Sequence, residues 1–412
     1  MISVDEARAI ILRHFDPLEA EKVPILEALG RVLAEDIYSD IDIPPFANSA
    51  MDGYALRSGD TVGASKKKPA TLKVVADLAA GHITKLKVES GRAIRIMTGA
   101  PLPEGADAVV RFEETSEGLG GGWGPAVEVY KEVSPWENVR PAGEDIRRGE
   151  LALAKGAVLR PQEIGVLASL GRPEVEVIRR PRVAILATGD ELVGIDEEIG
   201  PGQIRNSNEY STAAQVIRYG GVPVRLGIAR DRVEELKAKI EEGLAAKVDL
   251  FLTSAGVSVG EYDVVKEVLA SEGEMDFWQV NMKPGKPLAF GRIRGVPLIG
   301  LPGNPVSAMI SFEQFARPAI LTMLGKALEK PEVEVIVDED VKSSGRRGFI
   351  RAIVTRQEDG YHARVVSGPR GSGVLTSVVR ANALLIVPEG VRLVKAGKRL
   401  SAQMLDWPEG VE

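Results

Sequence analysis

Apolar and amphipathic stretches alternate along the second half of the chain, from about residue 180. PRVAILATGDEL predicts a buried strand, STAAQVIRYGG a helix that stops at glycine, VPVRLGIARD a strand and VEELKAKIEEGL a helix. DLFLTSAGVSVG is another apolar run, VVKEVLA predicts a helix, LAFGRIRGVPLIGLPG two strands and NPVSAMISFEQFARPAIL a last helix. Strands that alternate with helices predict a parallel, doubly wound α/β domain covered on both faces.

The segments on either side of this domain have shorter apolar runs, which glycine and proline interrupt more often. Ser3 and Glu6 form an S-x-x-E capping box, which predicts a helix near the N-terminus, and a second short helix is expected to end at Gly30. Residues 31–150 contain short strand-like runs, such as TLKVVADL and AVEVYKEV, and predict a small β-rich domain. Pro161 predicts a helix that stops at Gly171, followed by a strand, EVEVI. Residues 330–412 alternate short strands with Gly/Pro turns and predict a small all-β domain.

Charge and composition exclude several classes of function. The 52 basic and 59 acidic residues give a net charge of −7, which argues against a sequence-blind nucleic-acid binder. Cysteine is absent, so the chain has no disulfide framework, thiolate zinc site or cysteine nucleophile. Three histidines argue against a His-rich metal site and a Ser-His triad. Any bound metal is therefore expected to be a hard cation held by oxygen, with Mg²⁺ the default.

The chain carries no targeting or membrane signal. Its N-terminus does not resemble a signal peptide, and no run of about 18 apolar residues exists, so we expect a cytoplasmic protein without membrane contact. Seven asparagines and seven glutamines beside many charged residues favour a thermophilic source.

Three polar segments follow predicted strands of the α/β domain. Ligands of open α/β sheets bind outside the carboxyl ends of the strands. TGDEL supplies Asp190 and Glu191, and the turn in TSAGVSVGEYD offers backbone N–H groups to a phosphate. In GLPGNPVSA, Asn304 can cap a helix, Pro305 suits its first position and Ser307 lies in its first turn. Each alone is also compatible with a plain turn or helix cap, but together they predict one anion-binding crevice.

A basic turn, NMKPGKP, precedes the strand LAFG. Lys283 and Lys286 flank a Pro-Gly pair there. Two closely spaced ammonium groups suit a compact dianion such as phosphate, sulfate or molybdate, and the alternative is a solvated basic turn.

Several loops present carboxylates. NSAMDGYA holds Asp52 among turn-forming residues after a Pro-Pro pair, and PAGEDIRRGE holds Asp145. Asp231 follows a strand, where a helix N-cap is the simpler interpretation, and Thr98 lies in a Thr-Gly turn. Carboxylates repel an anionic substrate unless a divalent cation lies between them. The combination therefore indicates metal-assisted chemistry on a phosphate or similar oxyanion.

Taken in order, the motifs PPFANSAMDGYA, RIMTGAPLPEGADAVV, RPAGEDIRRGE, ATGDEL, TSAGVSVGEYD, MKPGKPLAFG and GLPGNPVSA resemble the molybdopterin molybdenumtransferase family, which includes MoeA and the E domain of gephyrin. The resemblance spans nearly the whole chain. GDEL or SxGxSxG alone would also fit the small molybdopterin adenylyltransferases, but NSAMDGYA and the C-terminal β domain would not.

The resemblance implies a multidomain α/β plus β architecture with four domains. They are a helical linking domain I (residues 1–26 and 151–178), a β-rich domain II (27–150), an α/β molybdopterin-binding domain III (179–327) and a C-terminal β-barrel-like domain IV (328–412). It also implies a homodimer with a shared active cleft, and contact with the molybdopterin adenylyltransferase. The implied reaction is Mg²⁺-dependent insertion of molybdate, or of tungstate, into adenylylated molybdopterin with release of AMP.

Roles carried over by motif are expectations from the resemblance. The implied catalytic residues are Asp52, Thr98, Asp145, Glu191, Asp231 and Asp263, and the implied Mg²⁺ ligands are Asp190, Glu191, Asp231 and Asp263. The implied substrate-binding residues are Ser254, Gly256, Ser258, Gly260, Pro302 and Pro305, with Lys283, Lys286 and Ser307 for the oxyanion. Domain IV is expected to add Arg351, with Arg347 as the alternative, and Ser377, with Ser372 as the alternative.

Two other functions remain open at this point. An adenylyltransferase would consume ATP with free molybdopterin, but the additional N- and C-terminal domains argue against it. A scaffold that binds receptor peptides, as a gephyrin E domain does, has little support, because no partner domain precedes the first helix.

Overall fold

The computed structural model describes residues 1–118, 124–254, 268, 273–369 and 371–406. The chain forms two compact units. The β-rich unit comprises Val23–Leu29 and Glu35–Val175, and the α/β unit comprises Met1–Lys22, Gly30–Ala34 and Glu176–Glu412. The predicted four-domain division is finer than these two units and stays a prediction.

Helices are few in the described part of the chain. They are α1 (Val4–Leu12), α2 (Pro161–Ser169), α3 (Ser207–Arg218), α4 (Val233–Ala245), α5 (Pro305–Ser311), α6 (Arg317–Met323) and α7 (Thr376–Val379), with short 3₁₀ turns at Ser58–Thr61 and Phe112–Glu114. A π-helical turn, Phe312–Ala316, joins α5 to α6. Within this described part, no helix has the length and apolar character that crossing a bilayer requires.

Local capping signals explain where the first two helices lie. Ser3 caps α1, because its Oγ accepts a hydrogen bond from the Glu6 amide at 3.1 Å. α2 begins at Pro161 as predicted, and Gly171 follows it in the left-handed region, with φ +68°.

The prediction of a second N-terminal helix ending at Gly30 is wrong. Strand β1 (Ala20–Pro24) forms there instead, and turns lead from it to Gly30. Proline lacks the amide donor that a helix interior requires, so Pro17 and Pro24 both oppose a helix through this segment.

The β-rich unit is built on one five-stranded sheet. The strands of the whole unit are β2 (Ile37–Tyr38), β3 (Asn48–Ser49), β4 (Gly53–Leu56), β5 (Ser65–Leu78), β6 (Arg92–Ile96), β7 (Ala108–Arg111), β8 (Ala126–Lys131), β9 (Val139–Arg140) and β10 (Leu151–Leu153). The sheet order is β7-β4-β6-β5-β8, and β2 with β10 and β3 with β9 form separate pairs. Successive residues Tyr54 and Ala55 belong to different buried clusters, so this sheet is covered on both faces.

The α/β unit contains a six-stranded sheet. After β11 (Glu174–Ile178), the strands are β12 (Arg182–Thr188), β13 (Leu192–Val193), β14 (Ile204–Arg205), β15 (Val222–Ala229), β16 (Leu250–Ser254), β17 (Gly273–Gln279), β18 (Met282–Lys283), β19 (Pro287–Ile293) and β20 (Val296–Leu301). The sheet order is β15-β12-β16-β20-β19-β17, and its first four strands are parallel, as predicted.

The predicted parallel sheet has an antiparallel edge, where β19 runs antiparallel to both β20 and β17. Arg294 and Gly295 connect β19 to β20 with φ +47° and +88°. Positive φ at both central residues is typical of a tight hairpin turn, which can join only antiparallel neighbours. The predicted helix VVKEVLA lies almost entirely outside the described residues.

The C-terminal region forms a closed barrel. Its strands are β21 (Glu332–Val337), β22 (Val341–Lys342), β23 (Arg347–Gln357), β24 (Gly360–Val365), β25 (Ala383–Val387), β26 (Leu393–Val394) and β27 (Arg399–Met404). The ring β23-β24-β21-β27-β25 closes through β25–β23 pairing, which confirms the predicted barrel-like domain. Phe349, Leu384 and Ile386 of the barrel also join the core of the α/β sheet.

Candidate active site

A cavity of about 520 Å³ lies at the carboxyl ends of three parallel strands, and we call it the crevice cavity. Thr188 ends β12, Ser254 ends β16 and Pro302 follows β20. The predicted site residues on its lining are Glu191, Ser254, Pro302 and Pro305, and other lining residues include Thr188, Pro287, Asn304 and Gly373. The structure thus brings these predicted residues together.

The N-terminus of α3 forms another wall of the crevice cavity, which the sequence analysis missed. Asn206, Ser207 and Asn208 line it. Asn206 caps α3, since its Oδ1 accepts a bond from the Glu209 amide at 3.2 Å. Asn208 Nδ2 donates to the Gly303 carbonyl at 2.7 Å and ties this wall to the loop after β20. The available signal was the capping pattern N-S-N-E at the start of the helix.

An arginine clamps the Gly-Asp-Glu turn that follows β12. Arg230 Nη1 donates to the carbonyl oxygens of Asp190, at 2.8 Å, and Leu192, at 2.9 Å. Gly189 has φ +143°, and a Cβ added there would overlap the Glu191 carboxylate. This turn therefore requires glycine before its two acids.

Asp190 and Asp231 lie side by side on neighbouring loops. The Asp231 amide donates to Asp190 Oδ1 at 3.3 Å. The simpler interpretation of Asp231 as a helix N-cap is wrong, because α4 is capped at Arg232, without a side-chain bond. Asp231 instead lies at the end of the loop that carries the Arg230 clamp.

The number and arrangement of these acids bear on how the site would hold Mg²⁺. Within residues 1–118, 124–254, 273–369 and 371–406, no group of three or more His, Cys, Asp or Glu side chains is arranged to hold a metal. Asp263, Gly256, Ser258 and Gly260 lie outside the described residues. Mg²⁺ is usually bound by one or two carboxylates, several waters and substrate phosphates, and Asp190 and Asp231 on their neighbouring loops match that number of carboxylates.

The lysine turn lies beside α5. Lys283 and Lys286 are exposed, the Lys283–Pro284 bond is cis, and Gly285 has φ +97°. A Cβ added at Gly285 would be 2.5 Å from Ser311 Oγ, so close backbone approach holds this turn against the helix. Pro287, one residue after Lys286, lines the crevice cavity.

A second cavity, of about 470 Å³, lies on the barrel side of the lysine turn, and we call it the barrel cavity. Lys283 and Arg351 both line it. The alternative arginine, Arg347, pairs with Asp5 at 2.7 Å instead. This geometry favours Arg351 of the two candidates, although its role stays a prediction.

Two predicted polar residues, Ser307 and Ser377, lie away from open space. Ser307 is 5% exposed and Ser377 is 1% exposed, and neither lines the crevice or barrel cavity. The Ser377 hydroxyl donates to the Val374 carbonyl at 2.6 Å, and Gly373 of the same loop lines the crevice cavity. Asn304 occupies the N-cap position of α5 as expected, but its side chain makes no capping bond.

In the β-rich unit, the predicted residues Asp52 and Thr98 are bonded to each other. The Thr98 amide donates to Asp52 Oδ1 at 2.7 Å, and Thr98 Oγ1 donates to the same oxygen at 2.8 Å. These two bonds, the amide first, hold the pKa of Asp52 below its ordinary value, and the charge of Arg95 adds to the effect. Asp52 is therefore an exposed carboxylate that is kept ionised and fixed in direction.

Backbone contacts fix the loop that carries Asp52. Ser49 exchanges backbone bonds with the Thr98 turn, accepting from Gly99 at 2.8 Å and donating to Ala100 at 3.0 Å. A Cβ at Gly53 would overlap the carbonyl oxygen of Val110, so β4 and β7 approach too closely for any other residue.

Asp145 lies on a loop that is hydrogen-bonded to Ile43, at the start of the segment that leads to Asp52. Its amide donates to the Ile43 carbonyl at 2.9 Å, and Ile43 donates back to Ile146 at 2.7 Å. Further along, Asn48 pairs with Arg140. The loops of Asp52, Thr98 and Asp145 are therefore joined by main-chain hydrogen bonds within one unit.

Comparison with known proteins finds matches along nearly all of the chain. Three family models match in order: the MoeA N-terminal region (domain I and II) at residues 2–171, a probable molybdopterin binding domain at 184–322 and the MoeA C-terminal region (domain IV) at 334–405.

Individual relatives are similar over their full lengths. Molybdopterin molybdenumtransferase 2 of Mycobacterium tuberculosis is 37% identical over 409 residues, with 97% of this chain and 98% of that protein covered. The Haemophilus influenzae molybdopterin molybdenumtransferase is 35% identical over 407 residues, with 98% of each covered. The crystal structure of the molybdopterin biosynthesis MoeA protein from Pyrococcus horikoshii matches with a TM-score of 0.82 at 33% identity and covers 99% of this chain and 100% of that chain.

Proposed function

The chain belongs to the MoeA family of molybdopterin molybdenumtransferases, enzymes of molybdenum cofactor biosynthesis, and on that basis we propose that it inserts molybdate or tungstate into adenylylated molybdopterin and releases AMP. The observation that carries the proposal is the crevice cavity. It joins the carboxyl ends of three strands and the N-terminus of α3, and its lining includes Glu191 and also Pro287, the residue after Lys286. Such a crevice is where open α/β sheets bind their ligands.

Two bond changes make up the proposed reaction. Water adds to the adenylyl phosphorus, and the link to the molybdopterin phosphate breaks, so that AMP leaves. The two dithiolene sulfurs then replace one oxygen of the oxyanion, and that oxygen leaves as water with the two thiol protons.

The acids of the Gly-Asp-Glu turn and of the loop that carries Arg230 suit the hydrolysis of the adenylyl link. Asp190 and Asp231 would hold Mg²⁺ together with phosphate oxygens of the substrate, and Glu191 and Asp263 are proposed as ligands that complete the site once substrate is bound. When bound, Mg²⁺ would neutralise charge on the pyrophosphate and on its leaving group. Arg230 keeps the Asp190 turn in place, and Asp231 is also proposed to orient the attacking water.

The cations suit the oxyanion. Lys283 and Lys286 are exposed on a turn fixed by Gly285, and they would attract a doubly charged oxyanion. Arg351 shares the barrel cavity with Lys283 and would add a second donor group. Ser307 and Ser377 are proposed as supporting residues. Tungstate and molybdate have nearly the same size and charge, so these groups would bind either.

The remaining proposed residues would contact the pterin and its phosphates. They are Ser254, Gly256, Ser258, Gly260, Pro302 and Pro305 from the α/β unit, and Asp52, Thr98 and Asp145 from the β-rich unit. Asp52→Asn keeps the shape of the side chain and removes its charge. A positioned acid–base group contributes about 10² or more to turnover, so the variant is expected to lose that factor.

We also propose a homodimer in which two copies share each active cleft. The β-rich unit of one subunit would supply Asp52, and the α/β unit of the other would supply Glu191. Mixed dimers test this directly. Asp52→Asn and Glu191→Gln are each expected to be inactive. Co-refolded in equal amounts they should recover about one quarter of wild-type activity, because about half of the dimers are heterodimers and one of the two sites in each is intact. No recovery in proven heterodimers would reject the shared cleft.

The reaction itself is tested by AMP release from adenylylated molybdopterin with Mg²⁺. The assay is run without oxyanion, with molybdate and with tungstate, and a parallel reaction supplies ATP and free molybdopterin. Oxyanion-dependent AMP release supports the proposal, and the more effective oxyanion identifies the metal. ATP consumption without any AMP release from the adenylylated substrate would instead support an adenylyltransferase.

A further inference from the structure

A buried charged cluster is centred on the π-helical turn between α5 and α6, beside a cavity of about 620 Å³ that shares no lining residue with the crevice cavity. Its centre is Glu313, which is 7% exposed. Glu313 pairs with Lys330, whose side chain is equally buried. Gln215 Nε2 donates to Glu313 Oε1 at 3.1 Å, and the Tyr219 hydroxyl lies 2.8–2.9 Å from both carboxylate oxygens.

This cluster fastens two helices to each other. Gln215 lies on α3 and also donates to the Met309 carbonyl of α5 at 3.2 Å. Tyr219 ends α3 and stacks on Phe312, with ring centroids 6.2 Å apart. Both helices begin at the crevice cavity, where Asn208 and Gly303 are bonded. The same pair of elements is therefore joined at the cavity and again near the C-terminal end of α3.

The polar character of the cluster has a cost that packing alone does not explain. Burial lowers the pKa of Lys330, and burial together with the charge of Glu313 raises the pKa of Tyr219. Replacing a buried ion pair by apolar residues is often neutral or stabilising. Such a pair therefore adds little to the free energy of unfolding, and its role here is to select one arrangement of the two helices. A π-helical turn inside a longer helix is likewise frequent at functional sites.

We propose that Glu313 is a positioning residue that sets the spacing between the two walls of the crevice cavity, the N-terminus of α3 and the loop before α5. It holds α3 through Gln215 and Tyr219, and Lys330 pairs with its carboxylate. Arg317 holds the segment that carries Lys330, by donating to the carbonyl oxygens of Leu328 and Glu329 at 2.9 and 3.1 Å. The inference rests on the proposed function, since it takes the crevice cavity as the substrate site.

The test is Tyr219→Phe, which removes one hydroxyl from the cluster. The dissociation constant for adenylylated molybdopterin is measured without oxyanion by pterin fluorescence, and kcat and KM for AMP release are measured with molybdate. Loss of one hydrogen bond to a charged group is expected to raise Kd and KM about threefold to tenfold. The value of kcat stays within about twofold, because substrate binding and not chemistry is affected.

Two further variants separate positioning from general stability. Tyr130→Phe removes an exposed hydroxyl–carboxylate bond to Glu128, of 2.9 Å, in the β-rich unit, and should leave Kd and KM unchanged. Glu313→Gln with Lys330→Met removes both buried charges, and is expected to keep Tm close to wild type while Kd rises. A fall in Tm without any change in Kd or KM for Tyr219→Phe would overturn the inference. Wild-type protein that binds the substrate but releases no AMP would reject the proposed function, and the Kd comparison would still decide whether Glu313 positions the cavity walls.

Discussion

Thr98→Val tests how the β-rich unit presents Asp52. The substitution keeps the branched shape of the side chain and removes its hydroxyl. Asp52 Oδ1 then loses the 2.8 Å bond from Oγ1 but keeps the 2.7 Å bond from the Thr98 amide. The variant therefore weakens the orientation of the carboxylate without removing the carboxylate.

The expected loss follows from the charge and exposure of this contact. A hydrogen bond to a charged group contributes about 1.5–3 kcal/mol when it is shielded from water. Both residues are exposed, and exposed charged contacts contribute only about 0.2–1 kcal/mol. A loss at the upper end of that range lowers turnover roughly fivefold. Thr98→Val should thus retain far more activity than Asp52→Asn.

The same bonds predict a pH dependence. They hold the pKa of Asp52 below its ordinary value of 3.8. A carboxyl group with a lowered folded-state pKa stabilises the fold above its unfolded pKa, and that contribution disappears as the pH falls through the folded-state value. Thr98→Val should raise the pKa of Asp52 towards 3.8. The variant is then less stable than wild type at neutral pH, and the difference vanishes in strong acid.

The assay is kcat for AMP release across the acid limb of the pH profile, together with Tm at each pH. Thr98→Ser is the matched control, because it retains the hydroxyl and the amide. The reasoning is refuted if Thr98→Val leaves both turnover and the acid limb unchanged. It is equally refuted if Thr98→Ser is impaired as much as the valine variant.

Two glycines give further predictions. Gly53→Ala forces β4 away from the Val110 carbonyl, so calorimetry should show a loss of about 1–3 kcal/mol in the free energy of unfolding. Gly59→Ala is the control and should change this free energy little, because a Cβ there meets nothing within 4 Å. Gly285→Ala pushes the lysine turn away from Ser311 and should raise KM for molybdate. Gly295→Ala has similar backbone strain in open space and should lower Tm without changing that KM, and an equal rise in KM for both would contradict the role of the turn.

Local signals account for the elements that the sequence predicted. The run of apolar residues at 182–188 forms a buried parallel strand, and Pro161 begins a helix. Such features depend on residues within one or two turns of each other. The family could be identified from the sequence for the same reason. Each motif is a short loop at the end of a strand, so its polar residues are close to one another in the sequence.

Contacts between distant segments could not be predicted in this way. The Arg230 clamp reaches a turn 40 residues away, and the Asn208–Gly303 bond spans 95 residues. The antiparallel edge at β19 depends on a hairpin whose φ angles are not visible in an apolar pattern. Glu313 appeared in the sequence only as one acid within a helical stretch, and its burial follows from the packing of α3 against α5.

The central claim is that one reaction couples release of AMP to insertion of the metal. The most direct measurement is a single turnover of adenylylated molybdopterin with Mg²⁺ and molybdate, in which AMP and molybdenum bound to the pterin are quantified in the same sample. The account predicts equal amounts of the two products and little AMP when the oxyanion is omitted. AMP released in full without molybdenum on the pterin would contradict it.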